Sequence, residues 1–157
     1  MVEIFLSHST KDRRWCEWLK AGAEQMGIVA YLAEHDVRPG ATLATKVEKA
    51  IDRCDAVVVL LSDNGANAPF VHQEIGYALR AEKLVIPLVG PEIPTEKLAM
   101  LQGIEYIPFD FADPAKGHAL LRTALQRLIK SQAAKTQRDV ALLTLACVAL
   151  VLLALDS

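Results

Sequence analysis

A chain of 157 residues with 52% hydrophobic composition can bury a core of ordinary domain size. Its formal net charge of -2, with no Lys/Arg cluster interleaved with aromatics, argues against a nucleic-acid binder that works by neutralising phosphates. Cys16, Cys54 and Cys147 are far apart and odd in number, so they form neither a disulfide framework nor a metal-ligand spacing and fit reduced thiols in a cytosolic setting.

The N-terminus enters a strand pattern directly at Glu3–Ser7, with no basic region or cleavage site, so no signal peptide is expected. Ser9-Thr10-Lys11-Asp12 then has the spacing of a capping box, which gives Asp12 a capping role. Trp15, Trp18, Leu19, Gly22 and Met26 mark one face of the helix that follows, and both tryptophans read as core. A second strand over residues 28–32 leads into a polar loop that ends in the turn signal Pro39-Gly40. Leu43, Val47, Ala50 and Ile51 predict the next helix.

Residues 56–62 are a continuous aliphatic and β-branched run with no polar alternation before Ser62, as suits a parallel strand covered on both faces. Residues 63–69 are dense in turn formers, after which Val71, Ile75, Ala78 and Leu79 recur at helical spacing. Leu84–Val89 is a fourth strand, closed by Gly90-Pro91. A short helical stretch over residues 95–101, a fifth strand over 105–109 and a helix near 116–130 complete the pattern.

Strands alternating with helices predict an α/β fold, a five-stranded parallel sheet with helices on both faces. The flavodoxin-like order 2-1-3-4-5 places the switch point between strands one and three, and ligands of such sheets bind outside the carboxyl ends of the strands there. Ser7, His8 and Ser9 would wall this crevice on one side and residues 62–74 on the other, with the loop over 36–40 overhanging the same edge.

Residues 131–138 read as a polar linker, and residues 140–155 carry no charge at all. A helix over that run is ~24 Å long at about 1.5 Å per residue, and bilayer thinning or snorkelling absorbs the shortfall from the ~30 Å hydrocarbon core. A buried or oligomerising helix is the alternative, although a helix apolar all round has to be buried in something. The expectation is a single-pass transmembrane helix over 139–156. Lys130, Lys135 and Arg138 precede it, which keeps the domain over 1–130 in the cytoplasm.

Phe5-Leu6-Ser7-His8-Ser9 resembles the first conserved box of Toll/interleukin-1 receptor (TIR) domains, and Asp36-Val37-Arg38-Pro39-Gly40 resembles their second box and its BB loop. Phe70-Val71-His72-Gln73-Glu74 resembles the segment that carries the catalytic glutamate of the enzymatic members. The likeness covers about residues 2–130 and points to bacterial-type members. It implies cleavage of NAD at the nicotinamide N-glycosidic bond, with Glu74 catalytic, NAD as substrate, and no cofactor or metal. Ser7, His8, Ser9, Arg38, Pro39, Gly40, Ser62 and Phe70 would then contact the substrate, His8 by stacking on nicotinamide or ribose. Where the family commonly has Trp, this chain has Phe70, which keeps an apolar ring and loses an indole donor. The resemblance also implies self-association through the BB loop, contacts with other TIR proteins, and a role in signalling or microbial defence by NAD depletion or an ADP-ribose-type signal.

One carboxylate suffices for that chemistry. Ordinary glycosidases need two because the leaving alkoxide must be protonated while the sugar cation is stabilised. Nicotinamide in NAD is already a pyridinium and departs neutral. Without the resemblance, Glu74 is explained as a helix-dipole partner, an effect of about 0.3–1 kcal/mol. Likewise Asp36 and Arg38 are explained as solvated loop charges, His72 as an exposed helix position, Ser9 as a cap and Cys54 as core packing. A non-catalytic module that recruits other TIR proteins is the competing function, and a receiver-like phosphoacceptor lacks the acidic cluster expected after the first strand.

Overall fold

The computed structural model describes residues 1–32 and 43–155. The chain divides into two compact units, Met1–Arg122 and Thr123–Ser157. Strands β1 (Glu3–Ser7), β2 (Val29–Leu32), β3 (Ala56–Leu61), β4 (Leu84–Val89) and β5 (Ile107–Pro108) form one sheet in the order β2-β1-β3-β4-β5. Every neighbouring pair is parallel, with Leu6 opposite Leu32 on one side and Val58 on the other, and Ser7 opposite Val59. The expected order 2-1-3-4-5 is therefore the observed one.

Between the strands lie α1 (Arg13–Glu24), α2 (Leu43–Arg53), a single turn α3 (Asp63–Ala66) and α4 (Pro69–Arg80). All of β3 is buried, as a central strand flanked on both sides should be. Phe5 of β1 and Val57, Val59 and Leu61 of β3 share a cluster with Ile51 of α2 and Val71, Ile75 and Ala78 of α4. Alternation along a strand then puts Ser7, two residues after Phe5, on the face that α4 covers.

Three expectations are corrected here. The buried face of α1 is Cys16, Leu19 and Ala23, not the tryptophan stripe. Small side chains at Cys16 and Ala23 suit close contact with the sheet, while Trp18 is 41% exposed and Trp15 half-buried. The two indoles instead meet edge to face at 6.0 Å, and Trp15 packs on Phe109 and Phe111 at 6.2 and 5.5 Å. The loop after β3 contains the turn α3, nucleated by the Ser62 hydroxyl, which accepts from the Gly65 amide at 3.1 Å. The fifth strand is confined to two residues, Ile107–Pro108, because the proline nitrogen has no proton to donate to a ladder.

The helix α5 (Ala115–Leu155) begins in the first unit and supplies nearly all of the second. Residues 131–138, read as a linker, are helical: they contain no Gly or Pro, and Ser131 and Thr136 donate back to the carbonyls of Leu128 and Gln132 at 2.8 and 3.0 Å. Among the described residues no helix is long and apolar enough to cross a membrane. Of the expected span over 139–156, the side chains after Cys147 lie outside the described residues, while Val140, Leu142, Leu143 and Leu145 are exposed. Among the described residues the expected transmembrane helix is therefore not found.

Gly65 is the glycine whose lack of a side chain the fold requires most directly. A Cβ there would stand 2.2 Å from the Leu60 carbonyl oxygen, a backbone atom that cannot swing aside. Gly65→Ala is expected to lower stability by about 1–3 kcal/mol as the turn is forced off β3, read as a reduced urea midpoint at unchanged m-value.

Candidate active site

The strand order reverses direction at β1, because β2 and β3 lie on its opposite sides. Outside the carboxyl ends of β1 and β3 the chain gathers Ser7, His8, Ser9, Asp12, Ser62 and Glu74, which are the buried polar side chains of the described residues. A crevice at such a switch point is where open α/β sheets bind nucleotides.

Glu74 lies on the core-facing side of α4, with Val71, Ile75 and Ala78 at the spacing of one helix face. A carboxylate at this position is unusual, since burial without water disfavours its charged form. It is only 4% exposed, and burial raises its pKa from 4.5 to about 7. The opposing influence is the Ser7 hydroxyl, which donates to Glu74 Oε2 and favours the carboxylate. Position also disposes of the dipole explanation: Glu74 stands in the second turn, beyond the reach of the helix N-terminus, and its pKa moves up rather than down.

His8 is buried next to this pair, with Nδ1 donating to the Leu6 carbonyl at 3.1 Å, which in the neutral ring leaves Nε2 as the acceptor. Ser9 caps the short 3-10 turn Thr10–Asp12, its hydroxyl accepting from the Lys11 amide at 3.3 Å. Phe70 is 49% exposed, four residues before Glu74 and so one turn nearer the helix start on the same side. Arg38, Pro39 and Gly40, with the rest of the BB-loop expectation, lie outside the described residues.

Ser62 and Asp12 take roles that the residue pattern did not show. The Ser62 hydroxyl donates to Asp12 Oδ2 at 2.5 Å, and Asn64 Nδ2 donates to Asp12 Oδ1 at 3.0 Å. Asp12 makes no side-chain cap to α1, so its expected capping role is replaced by a bridge across the crevice to Ser62, 50 residues further along the chain. A spacing rule reads neighbours in sequence, and no local signal marks a partner that far away. His72 is likewise not a plain surface residue: Nε2 donates to the Ala66 carbonyl at 2.8 Å, pinning α3 to α4. The thiol of Cys16, on α1, is pushed far above the usual thiol range by burial first and then by Asp12, Glu17 and Glu74. It is therefore a neutral wall residue, not a nucleophile.

The TIR domain family model matches residues 4–125, and the chain belongs to that family. It is 25% identical over 113 residues to a protein of Brachypodium distachyon named as a probable 2' cyclic ADP-D-ribose synthase, BdTIR, covering 69% of this chain and 50% of that one. This chain thus spans half the length of that relative. Among solved structures it is similar to the TIR domain of the Toll-related receptor TRR-2 of Hydra magnipapillata, with TM-score 0.62 at 20% identity, covering 80% of this chain and 96% of that one. It is also similar to the CMP N-glycosidase BcmB of Clostridium botulinum, with TM-score 0.58 at 20% identity, covering 76% and 98%. These two structural likenesses bear on the fold.

The raised pKa of Glu74 has a consequence for stability. Below about pH 4.5 the carboxyl is neutral in both folded and unfolded chains; between 4.5 and about 7 the folded chain keeps a proton the unfolded one has released, so stability falls as pH rises through that window. Glu74→Gln, which keeps the shape and an acceptor for Ser7, is expected to unfold at a higher urea concentration than wild type at pH 8. The gain is on the order of 3 kcal/mol at most, at about 1.4 kcal/mol per unit, and disappears near pH 4.

Proposed function

We propose that this TIR domain cleaves NAD at the nicotinamide N-glycosidic bond, with Glu74 as the group that stabilises the reacting sugar. The observation that carries the reading is the buried Ser7–Glu74 pair at the switch point, a carboxylate kept on a core-facing helix position at a cost to stability. Supporting it is the Brachypodium relative, whose name describes formation of a cyclic ADP-ribose.

In the proposed reaction the bond from ribose C1′ to the pyridinium nitrogen breaks, and its electron pair leaves with nicotinamide, which becomes neutral. The positive charge passes to the sugar, where water adds at C1′ and loses a proton to give ADP-ribose. Glu74 accepts hydrogen bonds from the ribose hydroxyls, and its negative charge gains most as that cation develops, so it stabilises the transition state more than the bound substrate. Burial sharpens the effect, since little water competes with the carboxylate. Ser7 keeps enough of the carboxylate ionised at neutral pH for this to work. His8 and the half-exposed Phe70 offer rings to the nicotinamide or ribose, Ser9 donates to a phosphate or ribose oxygen, and Arg38, Pro39 and Gly40 contribute as substrate contacts. Ser62 acts through Asp12 rather than by touching substrate. Nothing in this scheme needs a metal or a cofactor.

Activation by self-association belongs to the same reading. Purified domain held at high local density, for instance on nickel-bearing vesicles, should release nicotinamide from NAD at least about tenfold faster than dilute domain, as effective concentration dictates. Glu74→Ala should release none under either condition. Equal release by wild type and Glu74→Ala would overturn the enzyme and favour the scaffold that only recruits other TIR proteins.

The membrane anchor, and with it a cytoplasmic domain in a bacterial-type defence protein, is likewise part of the proposal. Its support is the uncharged run over 140–155 and the cations that precede it. Deleting residues 139–157 should move the protein from the membrane to the soluble fraction; retention at the membrane would remove the anchor from the account.

A further inference from the structure

Two hydrogen-bonded ties cross the crevice between the ends of β1 and β3. Ser7 to Glu74 is the first. The second starts at Asp12, which is 4% exposed and accepts from both Ser62 and Asn64, so that two side chains of the segment after β3 are held by one carboxylate of the segment after β1.

The second tie does not end at Ser62. The oxygen of its hydroxyl accepts from the Gly65 amide at 3.1 Å, and the Ser62 carbonyl accepts from the Ala66 amide at 2.8 Å. Next, the Gly65 carbonyl accepts from the Ala68 amide at 3.1 Å, and the Ala66 carbonyl accepts from His72 Nε2 at 2.8 Å. His72 stands two residues before Glu74 on the same helix. An unbroken series of hydrogen bonds therefore runs from Asp12 through α3 into the turn of α4 that carries Glu74. The Gly65 backbone is clamped so closely under the Leu60 carbonyl that this segment has little slack to absorb a shift at its origin.

We propose that Asp12 is a positioning residue for Glu74: by fixing the turn over residues 62–66 it holds the start of α4 at the distance from β1 at which Ser7 and Glu74 remain hydrogen-bonded. As a contribution to catalysis this rests on the reading of Glu74 as the carboxylate at the reacting ribose; as a contribution to geometry it does not. Asp12 makes no contact with the substrate in this scheme. Among the described residues the Cys16 thiol of α1, which is neutral, lies near both carboxylates and the buried His8 imidazole follows Ser7; the route proposed from Asp12 to Glu74 is the hydrogen-bonded turn and not a relay of charge.

The sign of one measurable quantity separates positioning from plain electrostatics. Removing the negative charge of Asp12 makes ionisation of Glu74 easier and by itself lowers the Glu74 midpoint. Losing the Ser7 hydrogen bond makes ionisation harder and raises it. The experiment is a 13C titration of the Glu74 side-chain carboxyl by NMR in the full chain, for wild type, Asp12→Asn, Ser62→Ala and Ser7→Ala. Ser62→Ala removes the link from Asp12 to the Gly65 amide without changing any charge, and it decides the matter alone if Asp12→Asn does not fold.

The expected result is an upward shift of at least about 0.5 unit in both Asp12→Asn and Ser62→Ala. Combining either with Ser7→Ala should add nothing further, because the effect passes through the same hydrogen bond. The companion kinetic expectation is a fall of about tenfold or more in kcat for nicotinamide release with KM changed far less, since misplacing a reacting group by an ångström can cost about a hundredfold. A midpoint unchanged or lowered in the folded variants would overturn the proposal, even if the wild type cleaves NAD. Conversely, upward shifts in a protein that releases no nicotinamide would leave the positioning role standing and remove the enzymatic reading.

Discussion

The desolvation of one carboxylate is the constraint on which this site depends. Val71, Ile75 and Ala78 prescribe an apolar residue at the position that Glu74 occupies, and a buried carboxylate there lifts its own pKa to about 7. The Ser7 hydroxyl offsets only part of that effect. Everything else that matters to the site keeps Ser7 and Glu74 together: the adjacency of β1 and β3, the docking of α4 on their shared face, and the hydrogen-bonded turn between β3 and α4.

A protein selected for stability alone would place an apolar side chain at residue 74. Keeping the acid fits the general exchange of stability for activity, in which strained or desolvated groups persist where they act on a substrate. The arrangement also suits a leaving group that is already cationic. In the proposed reaction the departing pyridinium needs no proton, so one carboxylate, Glu74, suffices for the sugar. Asp12 is the other buried carboxylate in the crevice, and its two hydrogen bonds from Ser62 and Asn64 occupy it with structure.

Much of the fold was legible because it rests on local periodicity. The aliphatic run at 56–62 and the run Leu84–Val89 are buried strands as expected, the helix face at Val71, Ile75 and Ala78 is where the spacing put it, and right-handed crossovers narrowed the strand order to a few topologies, of which the flavodoxin-like choice is the one observed. The errors share a cause. Trp15 and Trp18 outweighed Cys16 and Ala23 in the reading of α1, although small residues are what let a helix approach a sheet. Residues 131–138, read as a linker because they are polar, are helical, since polarity without Gly or Pro is compatible with a continuous helix.

For the site, the motif around Glu74 was legible and its burial was half-visible, since it falls on the apolar face of its own helix. The bond to Ser7 needed the sheet order, and the Asp12–Ser62–Asn64 bridge was hidden, because its partners lie some 50 positions apart along the chain. Asp12 looked like a cap because caps are local and bridges are not. Phe70, by contrast, is half-exposed in the first turn of α4, one turn before Glu74.

The central claim is that an ionised, buried Glu74 drives the cleavage, and the pH dependence of kcat/KM for nicotinamide release tests it most directly. The account predicts that kcat/KM rises about tenfold per unit on the acid side and levels off above a midpoint near 7, the value to which burial moves this carboxyl in the free protein. A rate that is flat from pH 5 to pH 9, or that falls as pH rises through 7, would contradict it.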